Sequence, residues 1–164
     1  MTKKTLNDLF LHQLKDVYFA EHEITKALPK MIKAATSPGL KAAFKNHLDE
    51  TKGQIERLDA VFKLLDMKPQ SVACEAIKGI LKEGEEIIED FAGTQALDAG
   101  LIAAAQAVEH YEIARYGTMK CWAAQLGMTD VAVLIDQTLA EEKMTDQSLT
   151  ELAEGKVNIA AEAA

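Results

Sequence analysis

Glu21, His47, Glu50, Glu109, Glu112 and Glu142 are the residues of this chain whose types and spacing could do chemistry. Each falls in or beside a run that is otherwise apolar at three-and-four spacing, the period that tracks one face of a helix. One run reads Phe10, Leu14, Val17, Glu21, Ile24, Leu28. A second reads Leu40, Phe44, His47, Thr51, Gln54, Leu58, with Glu50 one turn from both His47 and Gln54. A third reads Ile102, Ala105, Glu109, Glu112, Tyr116, Met119, and a fourth Val131, Ile135, Thr138, Glu142, Thr145, Leu149. All four runs are apolar at both ends and turn polar in the middle.

An ionised carboxylate taken out of water without a partner is costly even after relaxation. No basic residue lies within the runs, because Lys52, Lys143 and Arg115 fall on flanking faces. Protonation, water penetration or metal remain. Two divalent ions would offset about four of the five negative charges, and oxygen-rich ligation with one imidazole suits iron or manganese. Inward Glu residues with Glu or His partners three residues away are the di-iron or di-manganese arrangement. The expectation is a dinuclear centre of two iron ions, or manganese, held by Glu21, Glu50, Glu109, Glu112 and Glu142. His47 either ligates with them or orients Glu50. The competing expectation is a hydrated polar layer that only fixes helix register. Glu141, Gln54 and Asp146 are reserve ligands, and His12, His22 and His110 fall off the seams as surface or interface residues. Met31, Met119 and Tyr116 read as packing.

The elements that must position these residues follow from the chain breakers. Thr36-Ser37-Pro38-Gly39 and Gly127-Met128-Thr129-Asp130 are turns, while Lys68-Pro69-Gln70-Ser71 and Ala92-Gly93-Thr94 bracket a middle segment. Long helices are expected over about Thr5–Ala35, Gly39–Asp66, Thr94–Leu126 and Thr129–Glu154, with a short one near Ser71–Phe91. Ser71, Thr94 and Thr129 are candidate N-caps, Gly155 a candidate helix stop, and Pro29 an expected kink in the first helix. Two short turns make two antiparallel hairpins. The long connection between them leaves room to return along the bundle, so the third long helix runs parallel to the second. The expected fold is therefore all-α: a ferritin-like four-helix bundle of two hairpins joined by a crossover carrying a short extra helix, one domain over residues 1–164. Counted from the two hairpin turns, all five carboxylates fall in one slab roughly 20–28 Å away, at about 1.5 Å of rise per residue. Glu21-His22-Glu23-Ile24 and Glu109-His110-Tyr111-Glu112-Ile113 echo each other, a weak repeat that points to two equivalent ligand sets.

Composition bounds the partners. Of 164 residues, 48% are hydrophobic and 5% aromatic, and 26 acidic against 18 basic side chains leave a net charge of −8. Without a block of Lys or Arg, the chain is not expected to bind nucleic acid, whose phosphates demand cations, and no apolar run is long enough for a membrane span. Cys74 and Cys121 form no disulfide framework. With no secretory signal in the first residues, the expected setting is the reducing cytoplasm.

The stretches Ala27-Leu28-Pro29-Lys30-Met31, His47 to Leu58, and Ala99 to Ala114 with its Glu109-His110-Tyr111-Glu112-Ile113 block, followed by Glu141-Glu142-Lys143, make the sequence familiar. Over nearly its whole length it resembles the ferritin-like family of bacterial stress proteins typified by YciE and YciF. The resemblance implies a ferritin-like bundle, a homodimer, a role in stress physiology and possible metal binding. Against the wider ferritin and rubrerythrin pattern of Glu-x-x-His, the second helix here carries the reverse order, His47-x-x-Glu50, and Glu142-x-x-Thr145 has no histidine. Both orders put the pair on one helical face. The functions expected are handling of iron, oxygen or peroxide, with an oxidase or peroxidase-type activity in view, or a structural bundle with no chemistry. Iron storage would need a hollow shell.

Overall fold

The computed structural model describes residues 3–163. Its helices are α1 (Leu6–Ala34), α2 (Pro38–Leu64), α3 (Glu75–Asp90), α4 (Leu97–Gln125), α5 (Thr129–Leu152) and α6 (Asn158–Glu162), with no strand among the described residues. Thr5 caps α1 in a reciprocal box: its hydroxyl accepts from the Asp8 amide (3.3 Å), and Asp8 accepts from the Thr5 amide (2.8 Å). The helix continues past Pro29, whose ring stays on the exposed face.

The helix ends explain the tight hairpins. At the end of α4, Gly127 adopts φ +74°, so its amide reaches Ala124 O (3.1 Å) and the Met128 amide reaches Ala123 O (2.9 Å). That paired arrangement satisfies two orphan carbonyls and reverses the chain. Asp66 does the same for α2 at φ 54°, with Met67 donating to Phe62 O (2.9 Å). The α1–α2 turn is fixed from outside. Asp98 at the start of α4 accepts from the Thr36 amide (2.8 Å), the Thr36 hydroxyl (2.6 Å) and the Ser37 amide (2.7 Å).

Several expected boundaries move. Cys74, not Ser71, occupies the N-cap of α3, and α4 begins at Leu97 rather than Thr94. Met128 takes the cap position of α5 because the preceding turn closes so tightly, leaving Thr129 as its first residue. Gly155 does not stop the last helix. A glycine stop needs a left-handed backbone, which Gly155 does not adopt, and the chain instead passes through a π-helical turn at Ala153–Val157 into α6.

The four long helices form a ring in which α1 packs on α2, α2 on α5, α5 on α4 and α4 on α1. Contacts run antiparallel around it. Tyr18 meets Asp59, Gln54 meets Glu141, Gln106 meets Asp146 and Thr150, and Tyr111 meets Asp16 while Asp98 meets Thr36. So α4 lies parallel to its diagonal partner α2, and the fold is the ferritin-like bundle of two hairpins with a crossover. The crossover helix α3 lies over α1 and α4. Gly100 lets it come close: a Cβ there would stand 2.7 Å from Ile87 Cγ2.

The buried core is split in two. One apolar cluster includes Ile24, Leu28, Met31, Leu40, Phe44, Leu101, Ile102 and Leu149; the other includes Phe10, Leu14, Val17, Leu58, Phe62, Met119, Val131 and Ile135. Between them lies a slab of buried polar side chains.

Candidate metal centre

Glu21 of α1, His47, Thr51 and Gln54 of α2, Glu109 and Glu112 of α4, and Thr138 and Glu142 of α5 make that slab, each at most 5% exposed. Helical periodicity places them: every one continues a seam whose neighbours a turn away are core residues. His47, Glu109, Glu112 and Glu142 can each present one nitrogen or oxygen such that the four atoms lie within 4.8 Å of one another. His47 Nδ1 is 2.9 Å from Glu109 Oε1, yet no N–H is aimed along that line, and the oxygen has no hydrogen-bond partner.

Glu21 adjoins the quartet and feels the charge of Glu142. One of its oxygens accepts a hydrogen bond from the Tyr116 hydroxyl, and one oxygen of Glu142 accepts from the Gln54 amide. Gln54 also donates to Glu141 Oε2 (3.1 Å), and Arg57 grips both oxygens of Glu141, Nη1 donating to Oε2 (3.0 Å) and Nη2 to Oε1 (2.7 Å); Arg57 Nη1 also donates to Thr138 Oγ1 (2.7 Å). Gln54 therefore points its nitrogen at two carboxylates because Arg57 holds one of them in place.

Burial dominates the electrostatics. It pushes the carboxyl groups of Glu21 and Glu109 up to about 8, with the Glu142 charge adding to the effect at Glu21. Burial likewise raises Glu112 and Glu142 well above the ordinary carboxylate range, helped by neighbouring carboxylates. Tyr116 is raised by its burial and by Glu21. The metal-free layer therefore holds protons that water-exposed glutamates would have lost.

The sequence-derived candidates separate here. Glu21, His47, Glu109, Glu112 and Glu142 come together, whereas Glu50 is exposed, outside the quartet, and accepts a hydrogen bond from Thr145 Oγ1 (3.2 Å). Four buried glutamates, not five, thus carry the charge. Asp146 is half-buried and serves Gln106 and His110 (3.1 and 3.2 Å), and Glu141 is the partner of Arg57. His12 and His110 lie on the surface, and half-buried His22 meets the edge of Tyr18. Sequence reasoning missed Arg57 and the role of Tyr116. The signal was present in part: Tyr116 follows Glu112 by four residues and Arg57 follows Gln54 by three, the two spacings that make neighbours on one helical face.

The donor set fits a metal. Eight buried side-chain atoms lack any hydrogen-bond partner among the described residues: Glu21 Oε2, His47 Nε2, Gln54 Oε1, both oxygens of Glu109, both of Glu112, and Glu142 Oε2. Each such atom costs about 1–3 kcal/mol when left unpaired. All eight belong to this one slab, and a hard or borderline cation would satisfy several of them at once.

Fold and site together define a ferritin-like helical bundle with a buried His/Glu cluster that could hold a metal. The chain belongs to the family described as "Domain of unknown function (DUF892)", whose model matches residues 5–162. It is 47% identical to Protein YciF of Escherichia coli (strain K12) over 163 residues, 99% of this chain and 98% of that protein. The crystal structure of the E. coli stress protein YciF superposes with a TM-score of 0.90, covering 95% of this chain and 99% of the other. A structure from Rhodopseudomonas palustris named YcfI, whose description proposes a structural role, matches at 51% identity and a TM-score of 0.88, over 90% of this chain and 94% of its own. A protein of Xanthomonas campestris pv. campestris, 21% identical with a TM-score of 0.74 over 97% and 98% of the two chains, shares the fold. Among the described residues no helix is long and apolar enough to cross a membrane.

Proposed function

We propose that this protein binds a dinuclear centre of divalent metal, iron or manganese, and handles iron, oxygen or peroxide in a bacterial stress response. The observation that carries the reading is the quartet of mutually close, buried ligand atoms on His47, Glu109, Glu112 and Glu142, surrounded by acceptors without donors. Glu21 would complete the set. Four buried carboxylates balance the charge of about two divalent ions, which removes the need for the protons they otherwise retain. When bound, a pair of redox-active ions supplies electrons and open coordination positions for a small oxidant.

The chain's own residues prepare the site. Arg57 fixes Glu141, Glu141 and Glu142 share the Gln54 amide, and Tyr116 holds one oxygen of Glu21, so Glu21 and Glu142 each keep one oxygen free, while Glu109 and Glu112 keep both. The two apolar clusters above and below exclude water, which strengthens every charge interaction between them. The stress setting rests on the likeness to the E. coli stress protein YciF. A homodimer in the cytoplasm, with no nucleic-acid or membrane partner, is the expected state, which light scattering on a sizing column checks.

The test is anaerobic titration of metal-free protein with ferrous or manganous salt, followed calorimetrically. Wild type should take up about two ions per chain, and Glu112→Gln, which keeps shape and removes charge, should lose most of that uptake while retaining its helical circular dichroism. Wild type that binds no stoichiometric metal refutes the reading. A second reading, a bundle whose polar layer only sets register, draws on the Tyr116 and Gln54 hydrogen bonds, which already satisfy part of the layer, and on the structural role proposed for the R. palustris relative. It requires a melting temperature indifferent to metal and a Glu21→Leu variant at least as stable as wild type.

A further inference from the structure

We infer that the groove between α2 and α5 at Glu50 is the route by which a divalent cation reaches the buried cluster, with Glu50 as its outer, transient binding group. The inference rests on the metal reading above. Two spaces share a wall there. The outer one, about 160 Å³, is open to solvent and includes Asn46, Glu50 and Ser148 in its lining. The inner one, about 20 Å³, is large enough for a single water and has His47 and Glu109 as its charged or ionisable lining. Ala43, Thr145 and Leu149 line both. No more than this layer of small and mid-sized side chains separates solvent from two groups that are at least 95% buried and carry unpartnered atoms, His47 Nε2 and both Glu109 oxygens.

Thr145 is the hinge of the route. It is half-buried, and its hydroxyl donates to Glu50 Oε2 (3.2 Å) on the outer side while its side chain also borders the inner space. A hydrated cation drawn to Glu50 could exchange waters for that carboxylate, then for the Thr145 hydroxyl, then for His47 and Glu109, so that oxygen or nitrogen ligation is never wholly lost. Three other approaches are crossed by side chains. Further along the same α2/α5 seam, Arg57 spans to Glu141 and Thr138 and sets a positive charge against any cation. The α1/α4 seam lies under α3, with Tyr111 bridging Asp16 and Cys74. Across the α4/α5 seam, Gln106 bridges Asp146 and Thr150.

The experiment follows uptake of Co(II), chosen for its visible absorption, by the whole metal-free protein in stopped flow. Glu50→Gln should slow uptake about three- to tenfold at low ionic strength, and by less in about 0.5 M salt, with the final absorbance unchanged. Thr145→Val should also slow uptake without changing the endpoint. Glu83→Gln, which removes the same charge from the exposed face of α3, should match wild type. An unchanged rate in Glu50→Gln overturns the route while leaving the metal centre standing. A lowered endpoint in Glu50→Gln also overturns it, by making Glu50 a permanent ligand. Wild type that takes up no cobalt removes the centre and the route together.

Discussion

Metal-free protein should lose stability as pH rises from about 6 to 8, the opposite of the usual behaviour of paired carboxylates. Glu21 and Glu109 are raised from an ordinary value of 4.5 to about 8 by burial. Between those values the native state holds a proton that the unfolded state has released, so unfolding is favoured by every further increase in pH. The contribution of these two groups is therefore fully present below about 4.5, falls through the window and levels off above about 8. Each such group contributes about 1.4 kcal/mol per pH unit in the middle of the window and less near its upper edge, or about 2 kcal/mol between pH 6 and 8. In a domain of this size that is a fall in Tm of about 4–8 °C for one group alone. Asp8, held below the usual carboxylate range by Thr5, has completed its titration well below this window. The assay is thermal unfolding of chelator-treated, dialysed protein at half-unit pH steps, repeated with saturating Mn(II). Metal competes with those same protons, so the gap between loaded and metal-free melting temperatures should widen with pH. A metal-free Tm that holds level or climbs between pH 6 and 8 would refute the reasoning, because the slab could not then be retaining protons.

Two further perturbations probe the scaffold. Asp98→Ala removes the acceptor of three hydrogen bonds that tie the α1–α2 turn to α4, and should cost about 2 kcal/mol in urea unfolding, with faster amide exchange at Thr36 and Ser37. Gly100→Ala puts a methyl 2.7 Å from Ile87 Cγ2, and should destabilise by about 1–3 kcal/mol. Its amide-exchange signature should concentrate in α3, the element pushed away.

The seams of all four long helices were legible in the sequence because burial on one face imposes a period that composition cannot hide. The turns were legible too: Gly127 adopts the positive φ that a glycine permits, and the Thr36–Gly39 break falls where α1 gives way to α2. Cap positions were less so. Thr94 and Ser71 are good capping types, but the backbone reaches helical geometry only after turns whose lengths depend on where α3 docks. Gly155 carries the residue type of a stop without its conformation.

What the amino-acid order determined by itself is the pattern: four amphipathic helices, two short turns, one long crossover, and carboxylates at matching heights. What the tertiary structure decided is which of those carboxylates faces inward. Glu50 and Glu112 each follow a buried seam residue by three positions, yet one is exposed and the other 2% exposed. The difference lies in their neighbours. Helix α4 is flanked by α1, α5 and the crossover helix α3, so much of its circumference is covered; α2 packs mainly on α1 and α5, and the same rotation carries its side chain into solvent. Periodicity fixes the angle between two residues on a helix, but only packing fixes how wide an arc of that helix is hidden from water.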